Sequence, residues 1–162
     1  MRYLEFELTA EGVVSVRLGM TREQARVALE SLGEVLPFKR GARLREGDVG
    51  DWRVWRDGLM VFAYCDDAGC VDAIELSSPG HGVAGADRVT FGGIDLFIDP
   101  ADTVIDALRR QGHQVNKTDN GYTSILPAVL LALWRDGEPF DEVAGLPRYF
   151  EAAMVARPGY RD

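Results

Sequence analysis

Lysine, histidine and cysteine are scarce in this chain of 162 residues: it has two of each, against sixteen arginines. With only His81 and His113, acid–base chemistry would fall to carboxylates. Cys65 and Cys70 are too few to hold a disulfide framework. They are read as free thiols of a reducing compartment, with oxidation across their shared turn left open. That turn also carries Asp66, Asp67 and Asp72. Structural zinc normally takes four Cys or His ligands, and no glutamate stands where a calcium loop needs its twelfth ligand. No metal and no cofactor are expected.

Long apolar runs are missing too; none approaches the ~20 residues of a membrane-spanning helix. Glycine-rich stretches do not stand between a strand and a helix with phosphate-loop spacing. Ser77, Ser78 and His81 lack the strand-turn-helix elbow of a nucleophilic serine, and are read as part of a polar linker. Positive charge is short: 18 Lys and Arg face 26 Asp and Glu, a net charge of -8. A phosphate backbone is repelled on average, and basic or neutral partners are favoured. The expectation is no nucleic acid and no membrane. Residues 1–7 alternate and carry acids early, unlike a signal peptide or lipid anchor. A cytoplasmic protein is expected. The preference for arginine over lysine fits a high-GC bacterial genome.

What is present is an ordinary globular composition, 46% hydrophobic and 27% charged. Residues 3–8 and 13–18 alternate around Glu11-Gly12 and predict a hairpin. Thr21 with Gln24 makes a capping box, and Ala25, Ala28, Leu29 and Leu32 form one apolar stripe. A helix over 21–32 follows, with Gly33 in the left-handed position that ends it. Residues 37–51 read as an exposed connection with a short strand near 36–38. Trp52–Arg56, the Asp57-Gly58 turn, Leu59–Cys65 and Cys70–Leu76 predict a three-stranded antiparallel meander over 52–76. The middle strand is apolar enough to be covered on both faces.

Residues 77–87 have the composition of a linker. The order of elements then restarts: a hairpin over 88–98, a helix over 100–111 capped by Asp99 with Pro100 in its first position, and Gly112 to end it. His113 there suits the helix dipole. Strands follow at 113–118 and 122–126, around Asp119-Asn120-Gly121. Residues 127–134 are ambiguous between helix and strand, and are read as a buried strand. Strands at 140–143 and 149–157 finish the sheet. The fold class is α+β: antiparallel sheets with two helices, arranged as two tandem hairpin-helix-meander repeats, 1–80 and 88–162, within one compact unit. A single α+β sheet with two helices on one face is the alternative.

Leu18-Gly19-Met20-Thr21-Arg22-x-Gln24, followed by an apolar helix and Gly33, resembles the Gly-Met-Thr-Arg-x-Gln helix start of the beta-lactamase inhibitor proteins. It is also similar to the small assembly lipoproteins of the bacterial outer membrane. The inhibitors imply two tandem helix-plus-sheet repeats in a chain of this length. The likeness covers about sixteen residues. The second half lacks the Gly-Met-Thr motif, and no inhibitor contact residue transfers. In type, the chain also resembles the small acidic immunity proteins of bacterial toxin systems.

The expected function is therefore non-enzymatic: a module that binds another protein, as an immunity protein or inhibitor neutralising a toxin, and is itself a monomer or homodimer. Trp52, Trp55, Tyr64 and Trp134 are the candidate anchors, since tryptophan, tyrosine and arginine dominate binding hot spots. Asp66, Asp67, Asp102 and Asp106 are the candidate acidic rim. The alternative is a small-ligand or enzymatic site in a cavity between sheet and helices.

Overall fold

The start of α1 (Arg22–Glu30) is built as its sequence implies in the computed structural model, which describes residues 4–13, 15–39, 50–56, 58–78, 87–135, 140–141 and 145–160. The Thr21 hydroxyl accepts from the Gln24 backbone N–H at 3.1 Å, and the Gln24 side chain accepts from the Thr21 N–H at 3.0 Å. Two of the helix's open donors are thus satisfied. Ala25 and Leu29 point inward and are fully buried. The other end differs from expectation. The helix closes at Ser31, and Gly33 serves a different purpose. A Cβ there would come within 3.0 Å of the Trp55 carbonyl oxygen and 3.2 Å of Val54 Cγ2. Gly33 lets the chain pass close to the meander rather than turning the helix end.

The Gly-Met-Thr-Arg run also has a tertiary role. The Gly19 N–H donates to the Val71 carbonyl and the Val71 N–H to the Met20 carbonyl, each at 2.8 Å, and the Arg22 N–H donates to the Gly69 carbonyl at 2.9 Å. The motif that starts the helix therefore also pins it to a turn some fifty residues away.

α2 (Ala101–Arg110) starts one residue later than expected. Pro100 holds the cap position, Asp99 makes no cap, and the Ala101 N–H donates instead to the Arg148 carbonyl at 2.8 Å. Its end follows expectation. Gly112 is left-handed at φ +94, with Gly112 N–H donating to Arg109 and His113 N–H to Leu108, the paired bonds of a Schellman cap.

The strands form two main sheets. The smaller contains β1 (Glu5–Thr9), β2 (Gly12–Val13), β3 (Val16–Arg17), β8 (Arg88–Phe91) and β9 (Ile94–Asp95), in the order β3-β2-β1-β8-β9. The larger contains β4 (Val35–Phe38), β5 (Asp51–Arg56), β6 (Leu59–Cys65), β7 (Val71–Ser77), β10 (Asn116–Thr118), β11 (Thr123–Leu126), β12 (Leu131–Arg135) and β15 (Phe150–Ala156). Its order is β10-β11-β12-β15-β7-β6-β5-β4, antiparallel throughout. Strands from the first half thus occupy one side and strands from the second half the other, with β7 against β15 at the seam. In the smaller sheet the halves meet as the parallel pair β1 and β8.

Three expectations are corrected. Residues 127–130 form a turn, with Leu130 at φ +51, so the strand expected over 127–134 begins only at Leu131. The strand expected at 140–143 is not seen to finish the sheet: among the described residues β13 (Phe140–Asp141) pairs only with β14 (Leu146–Pro147), and residues 142–143 lie outside the described residues. The second strand of the first hairpin is split into β2 and β3, with residue 14 outside the described residues. Of the expected linker, residues 79–86, His81 included, lie outside the described residues. Ser77 belongs to β7, and Ser78 donates its N–H to the Glu151 carbonyl at 2.7 Å.

One core fills the space between the smaller sheet, the two helices and the inner face of the larger sheet. Phe6, Leu8, Leu29, Val61, Ile74, Leu76, Ile105, Leu108, Leu131, Leu133, Phe150 and Val155 meet there. Two ion pairs tie the layers. Asp87, its side chain only 1% exposed, accepts from Leu4 N–H at 2.9 Å and from Arg56 Nε at 2.7 Å, joining β1 and β8 to the end of β5. Arg135, at the end of β12, donates to the carboxylate of Asp102 in the first turn of α2 and lies 5.7 Å from the Phe150 ring centre.

Candidate functional site

Alternation along a strand sends every second side chain to the opposite face. In the larger sheet one set enters the core. The other set forms an outer face, and among the described residues neither helix lies on it, since the buried residues of both pack into the core.

The register lays the outer face out in rows. One row runs Trp134, Ala152, Ser77, Met60, Trp55, across β12, β15, β7, β6 and β5. Four strand spacings of ~4.8 Å put the two tryptophans roughly 19 Å apart. Between them lie Met60 and the small side chains of Ala152 and Ser77. The next row runs Ile125, Ala132, Met154, Glu75, Phe62, Arg53, Leu36. A third joins Ala156, Ala73 and Tyr64.

Aromatic rings cluster on the β4–β6 side. Phe62 and Tyr64 stack with centres 5.9 Å apart, and Phe38 meets both edge-on at 5.5 and 5.8 Å. The Tyr64 hydroxyl donates to Glu75 at 3.0 Å, which fixes the ring. Trp55 stands clear of this cluster and is 60% exposed; Leu36 beside it is 42% exposed. Leu36, Trp55, Met60, Glu34 and Arg53 line a cleft of about 380 Å³.

Four sequence candidates were expected to be aromatic anchors, and three share this face: Trp55, Tyr64 and Trp134. Trp52 does not. It lies on the inner side of β5, packs against the core and donates Nε1–H to the Arg22 carbonyl at 2.9 Å. It locks α1 to the meander. Asp66 and Asp67 sit at the β6–β7 turn, at the Tyr64 end of the sheet. Asp66 accepts from Cys70 N–H at 2.9 Å and lies 3.8 Å from Arg157, while Asp67 is exposed. Asp102 and Asp106 belong to α2 and the other layer: Asp102 is engaged with Arg135 and Asp106 is exposed. They are not part of the outer face.

Sequence reasoning missed Phe38, Phe62, Met60, Met154, Leu36 and Glu34. The signal was available in β6, where Met60, Phe62 and Tyr64 alternate with Leu59, Val61 and Ala63. The latter set joins the main core, while Tyr64, 8% exposed, forms a second buried cluster on the outer side with Ala73 and Met154, against which Phe38, Phe62, Trp134, Ala156 and Tyr160 pack. The strand is covered on its inner side, and its outer side is half-buried by its own neighbours.

The remaining chemistry is sparse. Both cysteines are free and half-buried. Burial pushes the Cys65 thiol up to about 11, the nearby Arg22 opposing and Asp51, Asp72 and Asp66 adding to the rise. His113 rests against the Phe91 ring at 5.3 Å. No group of three His, Cys, Asp or Glu is placed to hold a metal ion among the described residues. A second depression, about 290 Å³, is lined by Glu5, Glu7, Thr9, Glu11, Gly12, Val16 and Arg17 on the smaller sheet. No described helix is long and apolar enough to cross a membrane. In comparisons with known protein families, curated proteins and solved structures, nothing matches this chain.

Proposed function

We propose that the protein is a non-enzymatic binding module that grips another protein on the outer face of its larger sheet, in the role of an immunity protein or inhibitor that neutralises a bacterial toxin in the cytoplasm. The observation that carries this reading is the row bounded by Trp55 and Trp134, backed by the Phe38–Phe62–Tyr64 cluster. Rigid aromatic side chains contribute large contact area at low entropic cost, and they concentrate binding energy. The net charge of -8 steers basic partners toward the protein and disfavours acidic ones.

The strand order supports reading the chain as two tandem copies of one unit. Each half supplies four strands to one side of the larger sheet, and each has a helix behind it. The likeness of Leu18–Gln24 to the inhibitor helix start belongs to the same proposal.

The test is coexpression with the product of the neighbouring gene. A stoichiometric complex and relief of that product's toxicity are expected. The double variant Trp55→Ala/Trp134→Ala should lose both while keeping its fold. Relief of toxicity undiminished in that variant would remove the outer face from the reading.

A further inference from the structure

The cleft at the β4 edge has a pattern that a foreign partner does not require. Leu36 pairs with Arg53 across β4 and β5, and continuing the register one residue beyond the Val35–Val54 pair sets Glu34 opposite Trp55. The four side chains make a two-by-two block, with charges on one diagonal and apolar groups on the other. Glu34 and Arg53 are both exposed, and neither has an ion-pair or hydrogen-bond partner among the described residues. Leu36 and Trp55 are two of the largest exposed apolar groups of the chain.

We propose that in the free protein this cleft is covered by a second copy of the chain. A two-fold axis lying in the face along the Leu36–Trp55 diagonal exchanges the positions of Glu34 and Arg53. Facing copies then set Leu36 on Leu36 and Trp55 on Trp55, while each Glu34 meets the Arg53 of the other copy. An isologous interface needs self-complementarity of this kind. A patch built only for a basic partner would carry acids without Arg53 among them. The size sets the strength. The β4–β7 half of the face measures roughly 19 by 20 Å from strand spacing and rise. That footprint is about half of the ~800 Å² per partner in a standard interface, so pairing is weak and reversible. This inference goes beyond the partner reading. A toxin would displace the second copy from the cleft, and a failure to dimerise leaves capture of a foreign protein on the rest of the face unaffected.

Sedimentation of the intact chain up to about 100 μM tests it, together with charge exchange. The wild type should show a monomer–dimer equilibrium. E34R alone and R53E alone should each weaken pairing about tenfold or more, by setting like charges together. The double variant E34R/R53E should restore it. So should an equimolar mixture of the two single variants, because each ion pair is then re-formed between different copies. Both positions are exposed, so folding is preserved, and thermal unfolding of each variant checks this. A wild type that stays monomeric throughout overturns the proposal. So do single variants that pair like the wild type, or weakened single variants whose mixture does not recover.

Discussion

The two faces of the larger sheet are made by the same strands and met by opposite fates. In β6, Leu59, Val61 and Ala63 are buried in the core, while Met60 and Phe62, one residue away, are only half-covered. In β7, Ile74 and Leu76 are fully buried, while Glu75 between them lies on the other side with a polar partner in Tyr64. The inner face buries branched aliphatic groups that interdigitate with α1, α2 and the smaller sheet. The outer face presents flat rings and thioethers over small residues. The inner face is closed by this chain; among the described residues the outer face is closed only in part, over Tyr64, Ala73 and Met154. Composition alone does not separate them, since both are apolar.

The largest effect that separates the faces is a cavity on the inner one. Leu76 is fully buried. Leu76→Ala should cost about 3 kcal/mol through lost transfer energy and an unfilled void. Chemical denaturation measures it. A cost under about 1 kcal/mol would mean that the inner face is not the closed one.

Next is the clasp that holds the closed face shut. Asp87→Ala removes the acceptor of both Leu4 N–H and Arg56 Nε. A buried charge that loses one partner typically costs about 3 kcal/mol. Arg56 retains some exposure at 20%, so about 2 kcal/mol is expected here. Denaturation should show it, and amide exchange at the start of β1 should accelerate.

A smaller effect comes from the link between α1 and the sheet. Thr21→Ala deletes the side-chain half of the capping box and should cost about 1 kcal/mol. The loss should appear in denaturation without any change in self-association, because the cap lies on the helix side of the sheet.

Cys65 probes the border between the faces by pH. Its thiol ionises at about 11 in the folded protein, above an ordinary value of 9.0, so the folded state holds the proton more tightly than the unfolded chain. The stabilisation is complete below the lower value and is lost as pH rises through the upper one. Thermal unfolding of the wild type should therefore fall more steeply between these pH values than that of Cys65→Ala. The difference is modest because the thiol is only half-buried. Parallel pH profiles for the two proteins would contradict it.

How much of this was legible in the sequence depends on how local each determinant is. The capping box of Thr21 and Gln24 and the Gly112 end of α2 involve residues within a few positions, and local chemistry sets them; Asp57 of the expected Asp57-Gly58 turn lies outside the described residues. Alternation in β5 puts Trp52 and Val54 on one face and Arg53 and Trp55 on the other. Alternation does not say which face is inside, because that is decided by where α1 docks. The parallel pairing of β1 with β8 and the seam of β7 with β15 join residues more than seventy positions apart, and no local pattern encodes them. Residues 127–130 misled because leucine and alanine conceal a turn in which Leu130 takes a left-handed backbone.

The smallest stability effect is expected at Trp55, and it divides the faces most sharply. Tryptophan in a core costs about 3–5 kcal/mol when cut to alanine, since it leaves a large void. Trp55 is 60% exposed, and its row neighbours are Met60 on one side and the edge strand on the other. Removing it opens no void, and surface substitutions of this kind stay within about 0.5 kcal/mol. Trp55→Ala should unfold with the wild type in denaturant, yet lose both self-association and the outer-face complex. Trp52→Ala, three residues earlier on the inner face, should do the reverse: it breaks the hydrogen bond to Arg22 and loosens α1. Two tryptophans on one strand then give two separable losses, one of fold and one of binding. If Trp55→Ala instead destabilises the protein as Trp52→Ala does, the outer face is closed by the chain itself and is not a surface for gripping anything.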